Sequence, residues 1–579
     1  MGERIPNHRF HRWLVSAERY ESKWRRGNQQ CFAYYDGDQW TPEEQYEIES
    51  RGQQPTVINT VQPTVDMVRS IELDRKADIQ VVGREESDGG KAQLLTALLK
   101  HAFDTCNFEY YHSECFREAL IGGRSWIECG IRQDETGRDV ISIDHVPWEN
   151  VFLDPHSRKP DASDARFIIR VKWIDRDIVK RLYPDSDQVI DSVFSDDYHG
   201  QEYAAQMDSA GRDMSSRGFY YDTRNNRIKV CECWYSMPEY RTVSVTDERT
   251  GRPTERRILK NVIHYVVFSD EVILQGSATS DSANVDELGI DMYPLIPIHC
   301  ARDRDGRPRG IVAGLISIQD QINKLDSKFL WTIATNRLIA EEGAVRDLEE
   351  AREEMQKPDG LVVLNDGGLS RVRVDDKYRD LSYLSAHLNF LLSTEQRISG
   401  INDSMLGMGS SGERSGVMQA TRISQGAAMQ SSVLESLYFS KQRIALVCLR
   451  LMGRYYTDWR VIRITQPNGM SDEYQFNVPA QDGSGGLLNE IGDTLHYDVV
   501  LKRVQPFTTM RERTLQMFSE VFKTGVIPPQ VAGKLMLMLA DIPNREDLIM
   551  EVENFYKGQA MSVQGAGVGA GPATGSAGM

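Results

Sequence analysis

The segment LISIQDQINKLDSKF, Leu315–Phe329, decides how the rest of the chain reads. Its apolar residues Leu315, Ile318, Ile322, Leu325 and Phe329 step by 3, 4, 3 and 4 positions. This spacing predicts one narrow seam along a helix of about 30 residues. Gln319, Asn323 and Lys324 are assigned to the opposite faces. A second stretch, LSYLSAHLNFLLSTEQRI, Leu381–Ile398, repeats the step with Leu381, Leu384, Leu388 and Leu391. It predicts a helix over 381–400 ending at Gly400, a residue suited to a left-handed cap. Between the two lies a small α/β insert, 342–380, with an acidic helix Arg346–Lys357 and strand-like Leu361–Leu364 and Ser370–Val374. A Gly/Ser-rich loop, 401–416, follows. A very long helix, Val417–Asp458, is then expected, with Ile423, Ala427, Leu434, Leu437, Ile444, Cys448 and Leu451 on one stripe. One chain offers each seam a single two-helix contact. Many copies side by side would bury the seams between neighbours. An ordinary helical hairpin or bundle fits the same pattern.

Upstream, residues 1–308 mix helix and strand signals, so the fold class is α+β. Helices are expected over Arg12–Asn28, Glu43–Arg51 (opened by Pro42), Thr60–Lys76, Lys91–Cys106 and His112–Gly122. Phe32–Trp40 reads as an aromatic cluster ending in a turn. Strands are expected over Ser125–Ile131, Val140–Val146, Ala165–Trp173, Arg227–Ser236, Tyr240–Asp247 and Leu259–Phe268. Asp134–Arg138 reads as a hairpin turn and the polar Asp185–Ser216 as an exposed insertion. Downstream, 461–505 is β-rich, 506–558 helical with a break at Gly525–Pro529, and 559–579 a disordered Gly/Ala tail.

Composition removes several function classes. The 579 residues carry 68 basic and 85 acidic side chains, a formal charge of −17. Proteins that coat nucleic acid through phosphate contacts are usually basic. No apolar run reaches the length of a membrane helix, and the polar N-terminus is no secretory signal. The eight cysteines contain no CxxC pair, which argues against a disulfide framework or structural zinc. Cys231 and Cys233 share one strand face and are expected in the core.

No catalytic constellation emerges. Gly83 with Gly89-Gly90-Lys91 fails as a phosphate loop, because Glu85 and Ala92 stand where Gly and Ser or Thr are needed. Asp303–Gly306 lacks the later ligands of a calcium loop. His101, His112, Cys106 and Cys115 match no zinc signature, and HExxH, GxSxG and a helix-opening GxGxxG are absent. Asp36/Asp38 and Asp375/Asp376 read as solvated turn residues rather than Mg²⁺ ligands. No cofactor is expected.

Several segments, in order, carry a family resemblance. They are Phe32–Trp40, Pro55-Thr56-Val57-Ile58-Asn59, Glu118–Trp126, Val146–Pro155, Gly310–Asn323 and the helix–loop–helix of 381–460. Together they resemble a portal protein of tailed double-stranded DNA bacteriophages, of the larger podovirus-like type. The resemblance spans roughly residues 15–555, and its specificity lies in the ordered set. It implies a homo-oligomeric ring, usually of twelve subunits, at one capsid vertex. Double-stranded DNA would be pumped through its channel by the terminase large subunit, retained, and ejected through a tail joined by a head–tail adaptor. Major capsid and scaffolding proteins would be further partners, with no membrane involved.

By position, 1–308 would be the wing, 309–341 and 381–400 the stem helices and 342–380 the clip. Residues 401–416 would be the tunnel loop, 417–460 the long wing helix, 461–505 the β-rich wing or crown base, and 506–558 the crown. By the same resemblance, the long helical barrel that some relatives carry is not expected. In the tunnel loop Asn402, Asp403, Met405, Met408, Glu413 and Arg414 would face DNA, or the loop is simply a connector. In the clip Asp347, Glu349, Glu350, Glu353 and Glu354 would form a docking patch, or a solvated face. A conduit must let DNA slide, so the charge of −17 excludes a protein that grips DNA, not one that surrounds it. The competing readings are a packaging-associated nuclease or ATPase, and another ring-forming head–tail connector.

Overall fold

The computed structural model describes residues 8–74, 77–84, 89–187, 190–191, 221–222, 225–246, 253–270, 272–276, 290–334, 338–355, 360–374, 378–401, 405, 425–426, 428, 430–458, 460–465, 471–477, 491, 494 and 497–503. Helices and antiparallel sheets are both present, as an α+β chain requires. The chain divides into two compact units: Met1–Glu72 with Ala102–Tyr456, and Leu73–His101 with Thr457–Met579.

The first unit is built on two sheets. One has three strands, with Arg124–Gln133 central between Leu295–His299 and Asp139–Val146. The turn between Gln133 and Asp139 is the expected one. Asp134 accepts from the backbone N–H of Thr136 and Arg138, and Gly137 takes φ 76°. The other sheet runs Val151–Leu153, Phe167–Asp175, Arg227–Thr246, Pro253–Ser269 and Val272–Gly276, with Tyr221–Asp222 pairing beside the third strand. The strands expected at Arg227–Ser236 and Tyr240–Asp247 are one continuous strand of 20 residues.

The N-terminal helix, His8–Asp36, lays Phe10, Leu14 and Ala17 against Phe167, Cys231, Cys233 and Phe268 of that sheet. It extends through the aromatic cluster, where Cys31, Tyr34 and Tyr35 complete its buried stripe. Aromatic residues keep helical spacing there, so packing overrides their modest helix propensity. Cys231 and Cys233 are fully buried. Burial pushes the Cys231 thiol up to about 12, where it is unreactive.

Two further helices, Phe108–Gly122 and Ser431–Tyr455, pack on the three-stranded sheet. Leu434, Leu437, Ile444, Cys448 and Leu451 are buried on the latter, as their stripe predicts. This helix is described from Ser431, and the expected start, 417–424, lies outside the described residues. The seam helix is shorter than expected: Ile316–Ala334, 19 residues. Six residues before it, Gly310 lies close against the Phe108–Gly122 helix. The Ile311 N–H donates to Leu120 O at 2.7 Å, and a Cβ on Gly310 would lie 2.1 Å from Ile121 O. Only glycine fits that approach.

In the second unit Ala77–Gly83 pairs antiparallel with Tyr497–Arg503, and Arg460–Thr465 with Ser471–Phe476. Residues 192–216, 506–558 and 559–579 lie outside the described residues.

Candidate assembly and channel surfaces

The two seam helices, Ile316–Ala334 and Tyr378–Ser399, pack against each other. Along the seam, Leu315, Ile322 and Leu391 are buried. Ile318, Leu325, Phe329, Leu381, Leu384 and Leu388 are half-buried. Seams so incompletely covered by one chain retain apolar surface for a neighbour.

A second stripe of the first helix runs against the sequence expectation. Gln319, Asn323 and Ser327, at i, i+4 and i+8, are each 1% exposed. They face a segment without regular secondary structure, Thr56–Thr60. The backbone N–H groups of Thr56, Ile58 and Thr60 donate in turn to Ser327 Oγ (3.1 Å), Asn323 Oδ1 (3.1 Å) and Gln319 Oε1 (3.3 Å). Gln319 Nε2 returns a bond to Ile58 O, and Asn323 Nδ2 donates to Gln39 Oε1, both at 2.6 Å. Gln39 in turn donates to Tyr34 O, while Tyr34 bonds Asp320. Lys324 does stay exposed, reaching Glu44 at 3.0 Å. Gln319 and Asn323 are therefore buried ladder groups, because the Thr56–Thr60 backbone needs side-chain partners that an apolar face could not supply.

The second helix joins this ladder through Glu395. Burial pushes its carboxyl above the usual range, and a hydrogen bond with Thr60 pulls it partly back. Nothing in the sequence singled out Glu395. The i, i+4, i+8 polar spacing of Gln319, Asn323 and Ser327 was the one available signal for their burial.

Outside the ladder, the same stretch of chain is unusually apolar on its surface. Of the 24 large apolar side chains exposed among the described residues, 11 lie between 330 and 398. Leu369 is 85% exposed, Leu348 and Leu361 75% each. Scattered exposed apolar residues are ordinary; a concentration such as this is characteristic of interaction surfaces.

The insert between the helices contains a two-stranded sheet, Leu338–Ala340 with Val372–Val374. Its first strand lies where the seam helix was expected to continue. The acidic helix is shorter than expected, two residues at its start and three at its end, and spans Leu348–Glu354. Asp347 is its N-cap, accepting from Glu349 N at 2.9 Å and Glu350 N at 3.3 Å. Glu354 accepts from Leu361 N. Asp347 and Glu354 thus have structural partners, whereas Glu349, Glu350 and Glu353 are exposed.

Of the tunnel-loop residues, Asn402, Asp403, Met408, Glu413 and Arg414 lie outside the described residues. Met405 is buried, its Sδ where a Cβ on Gly426 would fall, so it is packed rather than projecting. Among the described residues no three His, Cys, Asp or Glu side chains are grouped to hold a metal ion, and no helix is long and apolar enough to cross a membrane.

His112 is fully buried, without a hydrogen-bond partner on either ring nitrogen, and close to Lys441. Burial, then the lysine charge, lowers its pKa to about 3. Cys106 donates to Ile141 O and Cys115 to Trp126 O. These are packing roles, not ligand positions.

Comparison with known proteins adds the family. The sequence matches the phage P22-like portal protein family over residues 11–565. It is 23% identical over 528 residues to a portal protein of Helicobacter pylori bacteriophage KHP30, covering 90% of this chain and 78% of that one. The ordered segments quoted above lie within this match. The chain belongs to the phage P22-like portal protein family.

Proposed function

We propose that the chain assembles into a ring of identical subunits, twelve by resemblance, at one capsid vertex of a virion. The ring conducts double-stranded DNA inward during packaging by the terminase large subunit, holds it, and releases it into the tail. Residues 309–341 and 381–400 act as stem, 342–380 as clip and 401–416 as tunnel loop. The clip receives the terminase and then the adaptor, with Glu349, Glu350 and Glu353 on its exposed side. Capsid and scaffolding proteins surround the wing and crown.

The observation that carries this reading is the apolar surface between 330 and 398, on helices whose seams one chain leaves half covered. Neighbouring copies bury such surface, which favours association by roughly 25 cal/mol per Å² before the costs of association. A structural channel performs no bond chemistry. Negative-stain imaging of the purified chain tests the reading: rings with a central channel are expected, and globular monomers at micromolar concentration would overturn it.

A further inference from the structure

The strand pair Arg227–Thr246 and Pro253–Ser269 outruns its own sheet. On one side, Phe167–Asp175 covers only residues 227–235. On the other, Val272–Gly276 covers only 266–269. From Met237↔Val262 to Thr246↔Pro253 the two strands pair with each other and, among the described residues, with no further strand. A lone two-stranded ribbon is marginally stable in water. This one also displays apolar side chains: Tyr240 is 64% exposed and its cross-strand partner Leu259 60%. Arg257 shares their face, its guanidinium 4.6 Å from the Tyr240 ring centroid. Residues 237–262 carry six basic and four acidic side chains on a chain whose net charge is −17.

The same chain presents a complementary surface. The helix Pro42–Ser50 buries none of its residues. It carries Glu43, Glu44, Glu47 and Glu49, and its Tyr46 is 76% exposed. Glu44 is held by Lys324 and Glu47 by Arg51, which leaves Glu43 and Glu49 exposed on the helix.

We propose that the ribbon of one copy docks on the Pro42–Ser50 helix of a second copy. Tyr240 and Leu259 meet Tyr46, and Arg257 meets the glutamates. Two different patches of one chain make a head-to-tail contact, the kind that closes into a ring. Opposite charge speeds and orients the encounter, while the buried aromatic pair supplies most of the holding. The proposal rests on the ring reading above and names one of its contacts.

Full-length protein carrying Y46C and Y240C, assembled and oxidised with copper phenanthroline, tests it. The eight native cysteines are buried, so their background is low. The expected result is a ladder of covalent oligomers on a non-reducing gel, absent from either single variant. Rings without a ladder would overturn the docking and leave the ring reading intact; an absence of rings in the unmodified chain would strike the ring reading itself. Crosslinking by Y240C alone would set ribbon against ribbon and overturn the proposal. As a second arm, R257E is expected to raise the concentration at which rings dissociate at least tenfold. Adding E43K and E49K is expected to reverse most of that rise, and no rescue would reject the helix as the receiving surface.

Discussion

The β-sheet region around Trp126 and the paired seam helices are put together in opposite ways. Around Trp126, apolar side chains such as Val146, Ile168 and Leu295 fill the interior. Between 316 and 399 the buried set includes the amides and hydroxyls of Gln319, Asn323, Ser327 and Thr332 beside Ile322 and Leu391, while Leu330, Trp331, Leu361, Leu369, Tyr383 and Phe390 are exposed. The first arrangement is complete in one chain. The second satisfies its backbone internally and leaves its apolar surface for neighbours, as a part of an assembly does.

Cutting into the self-sufficient half carries the largest effect. Trp126→Ala removes a fully buried side chain and should cost about 3–5 kcal/mol, read as a lower denaturant midpoint. A loss under 1 kcal/mol would mean that this core is looser than its burial implies. Next comes the ladder. Asn323→Leu strands the Ile58 N–H and the Gln39 amide, at about 1–3 kcal/mol. Were the leucine neutral, the buried polar face would be incidental to the helix position.

Acid separates the halves further. His112 and His299 are both buried, and desolvation with nearby cations lowers both pKa values, His112 to about 3. Their contribution is therefore full above the unfolded value of about 6.5. It is lost as pH falls below that value, by about 1.4 kcal/mol per pH unit for each histidine, until the folded pKa is reached. Melting temperatures between pH 7.5 and 5.5 should fall with this slope, and H112Q should flatten it. The smallest effect on stability belongs to the outside of the helical half. L361S with L369S should change the stability of the single chain by less than about 0.5 kcal/mol. The yield of rings should nevertheless drop, and unchanged assembly would free this surface from any packing role.

What the sequence made legible follows the same division. Regular apolar spacing located the seam helices and the buried stripe of Ser431–Tyr455, and Asp134–Arg138 announced its turn. Side-chain type misled at Gln319 and Asn323, because polarity was equated with solvent while the partner was backbone 260 residues away in sequence. Likewise, the end of the seam helix at Ala334 was hidden, since Leu338–Ala340 becomes a strand only by pairing with Val372–Val374. The pairing of Ala77–Gly83 with Tyr497–Arg503 has no local signature at all. The concentration of apolar surface was invisible too, because a seam read from spacing does not say how much of it one neighbour covers.

The Thr56–Thr60 ladder behaves as a vernier. Alternate backbone N–H groups face the helix, so the segment advances two residues, about 6.6 Å, for each rung. The helix advances four residues, about 6.0 Å. The two scales drift by roughly 0.6 Å per rung, and a hydrogen bond tolerates about half an ångström in length. Three rungs, centred on Asn323, are close to the most that such a pair of scales can keep in step. A vernier of that length has a single best alignment, so it fixes the axial position of the Ile316–Ala334 helix against the N-terminal segment to a fraction of a helical turn.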